Sequence, residues 1–242
     1  MFDFRFPEPF YKSMLQVLKI DCLETWIEEQ SSRLARKGNG KDTFKVVITA
    51  EVKREMCVSS IIPYYSKKGK RSAYIRSRDN KSYQIYINNA LPNEKLRFSI
   101  AHELAHIFFF QKENGTTPLT QEQMIHSQAL ESLCNLFARC FLMPRDNLIR
   151  FFNNSLPEVP PLSAIPILKN EFCIPAEYAA RRVIFDLYKK YCGVVCVKEI
   201  LKKDGKRHYE IAWMASSDNI EGGICYSNPR TYKTRRVPSE FL

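Results

Sequence analysis

The chain has 242 residues, 45% hydrophobic and 26% charged, which is enough to bury one large core with room for a small appendage. Its longest apolar runs, such as Ile107 to Phe110, are far too short to span a bilayer, so a membrane partner is excluded. The formal net charge of +11 points instead toward acidic or phosphate-bearing partners. The opening MFDFRFPEPF has no basic stretch followed by an apolar one, so no secretory leader is expected there and the chain is expected in a cytoplasm.

Leu15, Leu18, Cys22, Trp26 and Ile27 recur at helical spacing, and Gly38-Asn39-Gly40 ends the segment, so a helix is expected in the first forty residues. Phe44 to Thr49, Ser72 to Arg76 and Tyr83 to Asn88 are rich in strand-forming residues and predict a small, largely antiparallel or mixed sheet. Pro92-Asn93-Glu94 starts a strong helix, with Asn93 as its candidate N-cap, and Asn114-Gly115 stops it. A polar linker, Lys112 to Gln121, leads to a second strong helix from about Gln123 to Met143, closed by Pro144. Leu156 to Pro166 is proline-rich and reads as a linker, Ala176 to Tyr191 as helix, and Gly193 to Ala215 as a β-hairpin turning at Lys203-Asp204-Gly205-Lys206. This order indicates an α+β class, divided as a domain over 1–155, a linker and helical segment over 156–192, and a small C-terminal hairpin unit over 193–242. There are no internal repeats and no low-complexity tract.

Cys22, Cys57, Cys134, Cys140, Cys173, Cys192, Cys196 and Cys225 contain no close CxxC pair, and they read as free thiols behaving as small hydrophobes in a reducing compartment. Basic residues cluster at Lys67, Lys68, Lys70 and Arg71, at Lys202, Lys203, Lys206 and Arg207, and at Lys233, Arg235 and Arg236. These are either solvated loops or surfaces for phosphates or an acidic partner. No recognised nucleic-acid module accompanies them.

The chemistry concentrates in Ser99-Ile-Ala-His-Glu-Leu-Ala-His-Ile-Phe-Phe-Phe110. A helix apolar nearly all round is buried, yet this one carries His102, Glu103 and His106. A buried carboxylate without a partner is costly, and a bound cation removes the difficulty for all three groups. His102 and His106 lie one helical turn apart and project from one face, within reach of one zinc ion. Glu103 stands about 100° round the helix, beside the metal rather than on it. That is the H-E-x-x-H arrangement, with the glutamate as general base. The bland alternative is two core histidines satisfied by hydrogen bonds.

A catalytic zinc takes a third protein ligand. In the second helix the stripe Leu133, Leu136, Phe137, Cys140 and Phe141 faces the core, with Glu131 and Asn135 along its edge. Glu131 is a candidate ligand, but Glu113, Glu122 and His126 are also near in sequence, and Glu131 read alone is equally a surface carboxylate. Asn135 is a candidate to hydrogen-bond a ligating histidine and fix its tautomer.

The segments LRFSIAHELAHIFF and ALESLCNLFARCFLMP resemble the ImmA/IrrE family of metallopeptidases. Arg97-Phe98 match the family's approach to its HExxH helix. Glu131, Asn135, Phe137, Ala138 and Leu142-Met143-Pro144 match its second motif in register, and FCIPAEYAARRV, 172–183, continues the similarity more weakly. The likeness covers roughly residues 83–185. Ala105 stands where the family often has Gly and Cys134 where Ala is usual; residues 193–242 match nothing recognised.

The resemblance implies a zincin-like fold with packed active-site helices, Zn2+ held by His102, His106 and Glu131, and peptide-bond hydrolysis with Glu103 as base. It also implies a helix-turn-helix repressor as substrate, in a stress-response or mobile-element circuit of a bacterium or phage. Direct nucleic-acid contact is a further expectation, resting on charge alone. The strand Tyr83 to Asn88 is either core or the place where substrate adds as a β-strand. His126, His208 and Tyr178 are candidates for stabilising an oxyanion. The rival reading is a non-catalytic zinc-containing module that binds a protein partner.

Overall fold

The computed structural model describes residues 14–16, 18–19, 21–37, 48–66, 71–77, 82–110, 127–155, 161–182, 193–201 and 207–216. Helix α1, Leu23–Arg36, carries Glu24 in its first turn and Arg33 and Arg36 in its last, complementing its dipole. Its buried stripe is Leu23, Ile27 and Leu34, at i, i+4 and i+11. The expected N-terminal helix is therefore realised from Leu23 onward, with Leu15 and Leu18 packed against the core ahead of it.

A short helix, α2, Ala50–Glu55, follows. Thr49, expected to end a strand, caps it instead: its Oγ1 accepts from the Val52 amide at 3.3 Å. Residues 44–47 of that expected strand lie outside the described residues.

The sheet has three strands, β1 Val58–Tyr64, β2 Ala73–Ser77 and β3 Tyr83–Asn88, in the order β1-β3-β2. The β3 strand pairs parallel with β1 and antiparallel with β2, so the sheet is mixed. Sequence reasoning missed β1, because Pro63 interrupts its run of strand formers. Proline is tolerated there since β1 is an edge strand. Ile85 and Ile87 face the core, while Tyr74 and Tyr86 stack across the other face at 4.8 Å.

Helix α3, Asn93–Phe110, packs against β2 and β3. The Pro92 carbonyl accepts from the Leu96 amide at 2.9 Å, so Pro92 rather than Asn93 closes the N-terminus. Helix α4, Ser127–Leu142, packs on both α3 and α1, with Leu133, Leu136, Phe137, Cys140 and Phe141 buried as expected. Phe108 joins the layers, 4.9 Å from Phe137 and 5.6 Å from Trp26 between ring centroids.

Pro144 ends α4 and also opens α5, Arg145–Ser155, whose Leu148 amide donates to the Pro144 carbonyl at 3.1 Å. The segment expected as a linker contains α6, Pro161–Phe172; residues 156–160 lie outside the described residues. Pro161 occupies the first turn, where its missing N–H is no loss. Pro166 does remove an internal bond, and burial of Ala164, Ile165, Leu168 and Phe172 outweighs it.

Helix α7, Ala176–Arg182, follows. Arg182, fully buried, donates to both Glu28 carboxylate oxygens at 2.6 and 2.7 Å and to the Met143 carbonyl at 2.7 and 3.0 Å. One guanidinium thus joins α7 to α1 and to the end of α4. The expected hairpin is present as antiparallel β4, Gly193–Leu201, and β5, Arg207–Ser216; its turn lies outside the described residues. Among the described residues no helix is long and apolar enough to cross a membrane.

Candidate metal centre

The α3 helix buries Ala101, Leu104, Ala105, Ile107 and Phe109 around its circumference. The polar residues between them, His102, Glu103 and His106, are half-buried, and the two histidines contact α4. Nε2 of His102 lies 3.1 Å from Oε2 of Glu131, Nε2 of His106 lies 3.3 Å from Oε1, and the two Nε2 atoms are 3.2 Å apart. His102, His106 and Glu131 are a group able to hold a metal ion. The alternatives open at the sequence level, Glu113, Glu122 and His126, lie outside the described residues.

The outer nitrogens of the two rings are also occupied. Nδ1 of His102 is 3.1 Å from Oδ1 of Asn135, and Nδ1 of His106 is 3.5 Å from Sγ of Cys134. If Nδ1 of His102 carries the proton for Asn135, the neutral ring presents a lone pair at Nε2. Acceptor atoms of three residues then converge. A single proton satisfies one such contact, whereas a divalent cation satisfies all of them. The spacing fits as well: tetrahedral zinc with ligands at about 2.0–2.1 Å places neighbouring ligand atoms about 3.3 Å apart, close to the 3.2 Å between the two Nε2 atoms and the 3.1 and 3.3 Å from each to its nearer Glu131 oxygen.

The electrostatics follow from this packing. Hydrogen bonds from His102 and then His106 hold the Glu131 carboxyl well below the usual carboxylate range, against a smaller opposing effect of burial. Burial pushes the Glu103 carboxyl up, and the charges of His106, His102 and Arg71 only partly oppose it. Glu103 is thus a carboxylate kept basic, in charge contact with the donor cluster and not among its donors. Burial likewise raises the Cys134 thiol, with Glu131 and Glu103 adding to the effect.

Of the candidates for stabilising an oxyanion, Tyr178 comes near. Its ring stacks on Phe98 at 3.6 Å and 9°, and Phe98 lies 6.4 Å from the His102 ring. Burial, then the Glu177 charge, pushes the phenol up to about 12, so it is a donor at neutral pH. His126 lies outside the described residues, and His208 belongs to the hairpin strand β5.

One sequence expectation changes, and another, that Cys134 is a buried free thiol, holds with an added contact. The β3 strand is bordered on both sides, by β1 and β2, so it has no edge left for a substrate strand; among the described residues the sheet's edges belong to β1 and β2. Cys134, read as a small hydrophobe, sits behind a histidine of the cluster. Helical spacing was the available signal, since positions 131, 134 and 135 share a face.

No curated protein matches the chain. Among solved structures, a Mycobacterium tuberculosis transcriptional regulator is similar at a TM-score of 0.49 and 17% identity, over 87% of this chain and 61% of that one. This chain therefore spans about three fifths of that protein's length. The family model of the IrrE N-terminal-like domain, Peptidase M78, matches residues 61–183, a span that takes in β3, α3, α4 and α7. This match covers just over half of the 242 residues, and the chain belongs to that family.

Proposed function

We propose that the chain is a zinc-dependent endopeptidase whose metal is held by His102, His106 and Glu131 and whose general base is Glu103. The observation that carries this reading is the convergence of three residues, the two Nε2 atoms 3.2 Å apart and each 3.1–3.3 Å from its own oxygen of Glu131, with a carboxylate of raised basicity in charge contact with them. Membership of a peptidase family supports it.

When bound, zinc supplies Lewis acidity toward a scissile carbonyl and toward water. The chain's own residues do the rest. Glu103 accepts a proton from the attacking water at its carboxylate and delivers it to the leaving amine. Asn135 holds the His102 ring in the orientation that turns Nε2 inward. Tyr178, kept protonated by burial and stacked on Phe98, is a candidate to donate toward a developing oxyanion. Substrate in extended form adds along the outer edge of β2, the edge strand packed on α3.

The substrate we infer is a helix-turn-helix repressor, in a bacterial or phage cytoplasm, in keeping with the family resemblance of the two helices. The +11 charge suits an acidic or DNA-bound substrate. A second reading, a zinc-containing module that binds a partner without turnover, is weakened by Glu103, because a structural site has no use for a base beside its metal.

The Glu103→Gln variant tests this against candidate repressors. A peptidase loses cleavage and keeps its zinc. Undiminished function of the variant removes the peptidase reading and leaves the binding module.

A further inference from the structure

Cys134 is fully buried on α4, with Sγ 3.5 Å from Nδ1 of His106. The two nitrogens of an imidazole lie on opposite sides of the ring. Nε2 of His106 is the atom that meets Nε2 of His102 at 3.2 Å and Glu131 at 3.3 Å. The sulfur therefore stands behind the ring and is not one of the three donors. His102 is backed in the same way, by Oδ1 of Asn135 at 3.1 Å. Consecutive residues of one helix thus back the two imidazoles of its neighbour.

Resting on the metal-site reading above, we propose that Cys134 is a positioning residue for His106. Its sulfur accepts a hydrogen bond from the Nδ1–H of that ring, which selects one tautomer and leaves the Nε2 lone pair facing the donor cluster. A neutral imidazole carries one N–H, so an acceptor behind the ring decides which nitrogen is free. The competing role for a small buried side chain is filling space. The two roles separate because serine retains an acceptor at this position and alanine does not.

The test compares the wild type with Cys134→Ala and Cys134→Ser. Zinc affinity is measured by competition with a chromophoric chelator. The His106 tautomer is read in the zinc-free proteins by long-range proton–nitrogen NMR, at a pH where the imidazoles are neutral. Cys134→Ala should bind zinc roughly tenfold more weakly, the low end for losing an outer partner of a ligand, because sulfur is a weak acceptor. Cys134→Ser should regain most of that affinity. His106 should hold more of the Nδ1–H tautomer in the wild type and the serine variant than in the alanine variant, where the pull of Glu131 on an Nε2 proton is unopposed.

Equal affinities and tautomers in all three proteins would overturn the proposal, as would equal impairment in both variants. A sulfur-to-metal charge-transfer band in the cobalt-loaded wild type would place the thiolate on the metal and overturn it too. A wild type that takes up no zinc would sink the metal-centre reading, and the tautomer comparison would then decide the role of Cys134 on its own.

Discussion

Oδ1 of Asn135 lies 3.1 Å from Nδ1 of His102, while Nε2 on the opposite side of the same ring lies 3.1 Å from Glu131. Two side chains of α4, one turn apart, therefore grip one imidazole of α3 from both sides. Asn135→Ala leaves the ring free to rotate and to exchange tautomers, and zinc affinity should fall by roughly 10- to 100-fold. Asn135→Asp, which keeps an acceptor, should lose less. Chelator competition measures both, and equal affinities would show that the contact does not hold the ring.

Glu131 is almost half exposed, at 48%, and it contributes little to the core. Glu131→Ala should therefore leave folding nearly intact and remove metal. The loss should exceed the roughly 10- to 100-fold expected for an outer partner, because a donor itself disappears. Elemental analysis should find about one zinc per chain in the wild type and a sharp reduction in the variant. Unchanged stoichiometry would mean that the third donor has been misassigned.

The sequence made some of this visible and hid the rest for identifiable reasons. Helices α3 and α4 were legible because their apolar residues recur at helical spacing over many turns, and His102 and His106 follow from a local spacing of four. That Glu131 faces them depends on how two helices pack, which spacing within one helix cannot specify; the family resemblance supplied it. The partnership of Cys134 with His106 was hidden because a buried cysteine is ordinarily a small hydrophobe. The α6 helix was masked by its prolines, whose cost is local while the offsetting burial of Leu168 and Phe172 is tertiary. The β1 strand was masked by Pro63, which is harmless only on an edge, and edge status emerges from topology alone.

The Arg182–Glu28 pair should govern acid stability. Burial tends to raise the Glu28 carboxyl, but the charge and hydrogen bonds of Arg182, with a further bond from Cys140, outweigh it and hold it below its ordinary value. A carboxyl depressed in the folded state stabilises the fold above its unfolded pKa, and that contribution fades as pH falls through the folded pKa. Denaturant unfolding between neutral and strongly acid pH should therefore show stability declining in the acid limb. Glu28→Gln should flatten that decline and, by removing the carboxylate that Arg182 grips with two hydrogen bonds, cost about 3–5 kcal/mol at neutral pH. A steep acid limb that survives in Glu28→Gln would assign it to other carboxylates.

On the outer face of the sheet, the Arg76 guanidinium lies 5.6 Å from the Tyr74 ring centre and 5.1 Å from that of Tyr86. Arg76 is exposed, so Arg76→Ala should cost only about 0.5–1 kcal/mol. Arg76→Lys should recover part of that, since an ammonium keeps the charge but not the flat stacking surface. Thermal unfolding is sufficient to resolve the series. A loss several times larger would mean that Arg76 organises more of the sheet than these two rings.

The excess of basic charge bears on substrate capture rather than on chemistry. A net charge of +11 raises the encounter rate with an acidic or DNA-bound substrate, an effect that salt screens because the Debye length shrinks from about 10 Å at 0.1 M to about 3 Å at 1 M. A metal held by the proposed donor cluster would be coordinated directly over short distances, so moderate salt should leave zinc content unchanged. Cleavage of a repressor should then show kcat/KM falling about tenfold or more across that range, with kcat nearly constant. If kcat falls instead, salt acts on the site itself. If kcat/KM is flat, the basic clusters are solvated loops, and substrate selection rests on the β2 edge and the metal centre alone.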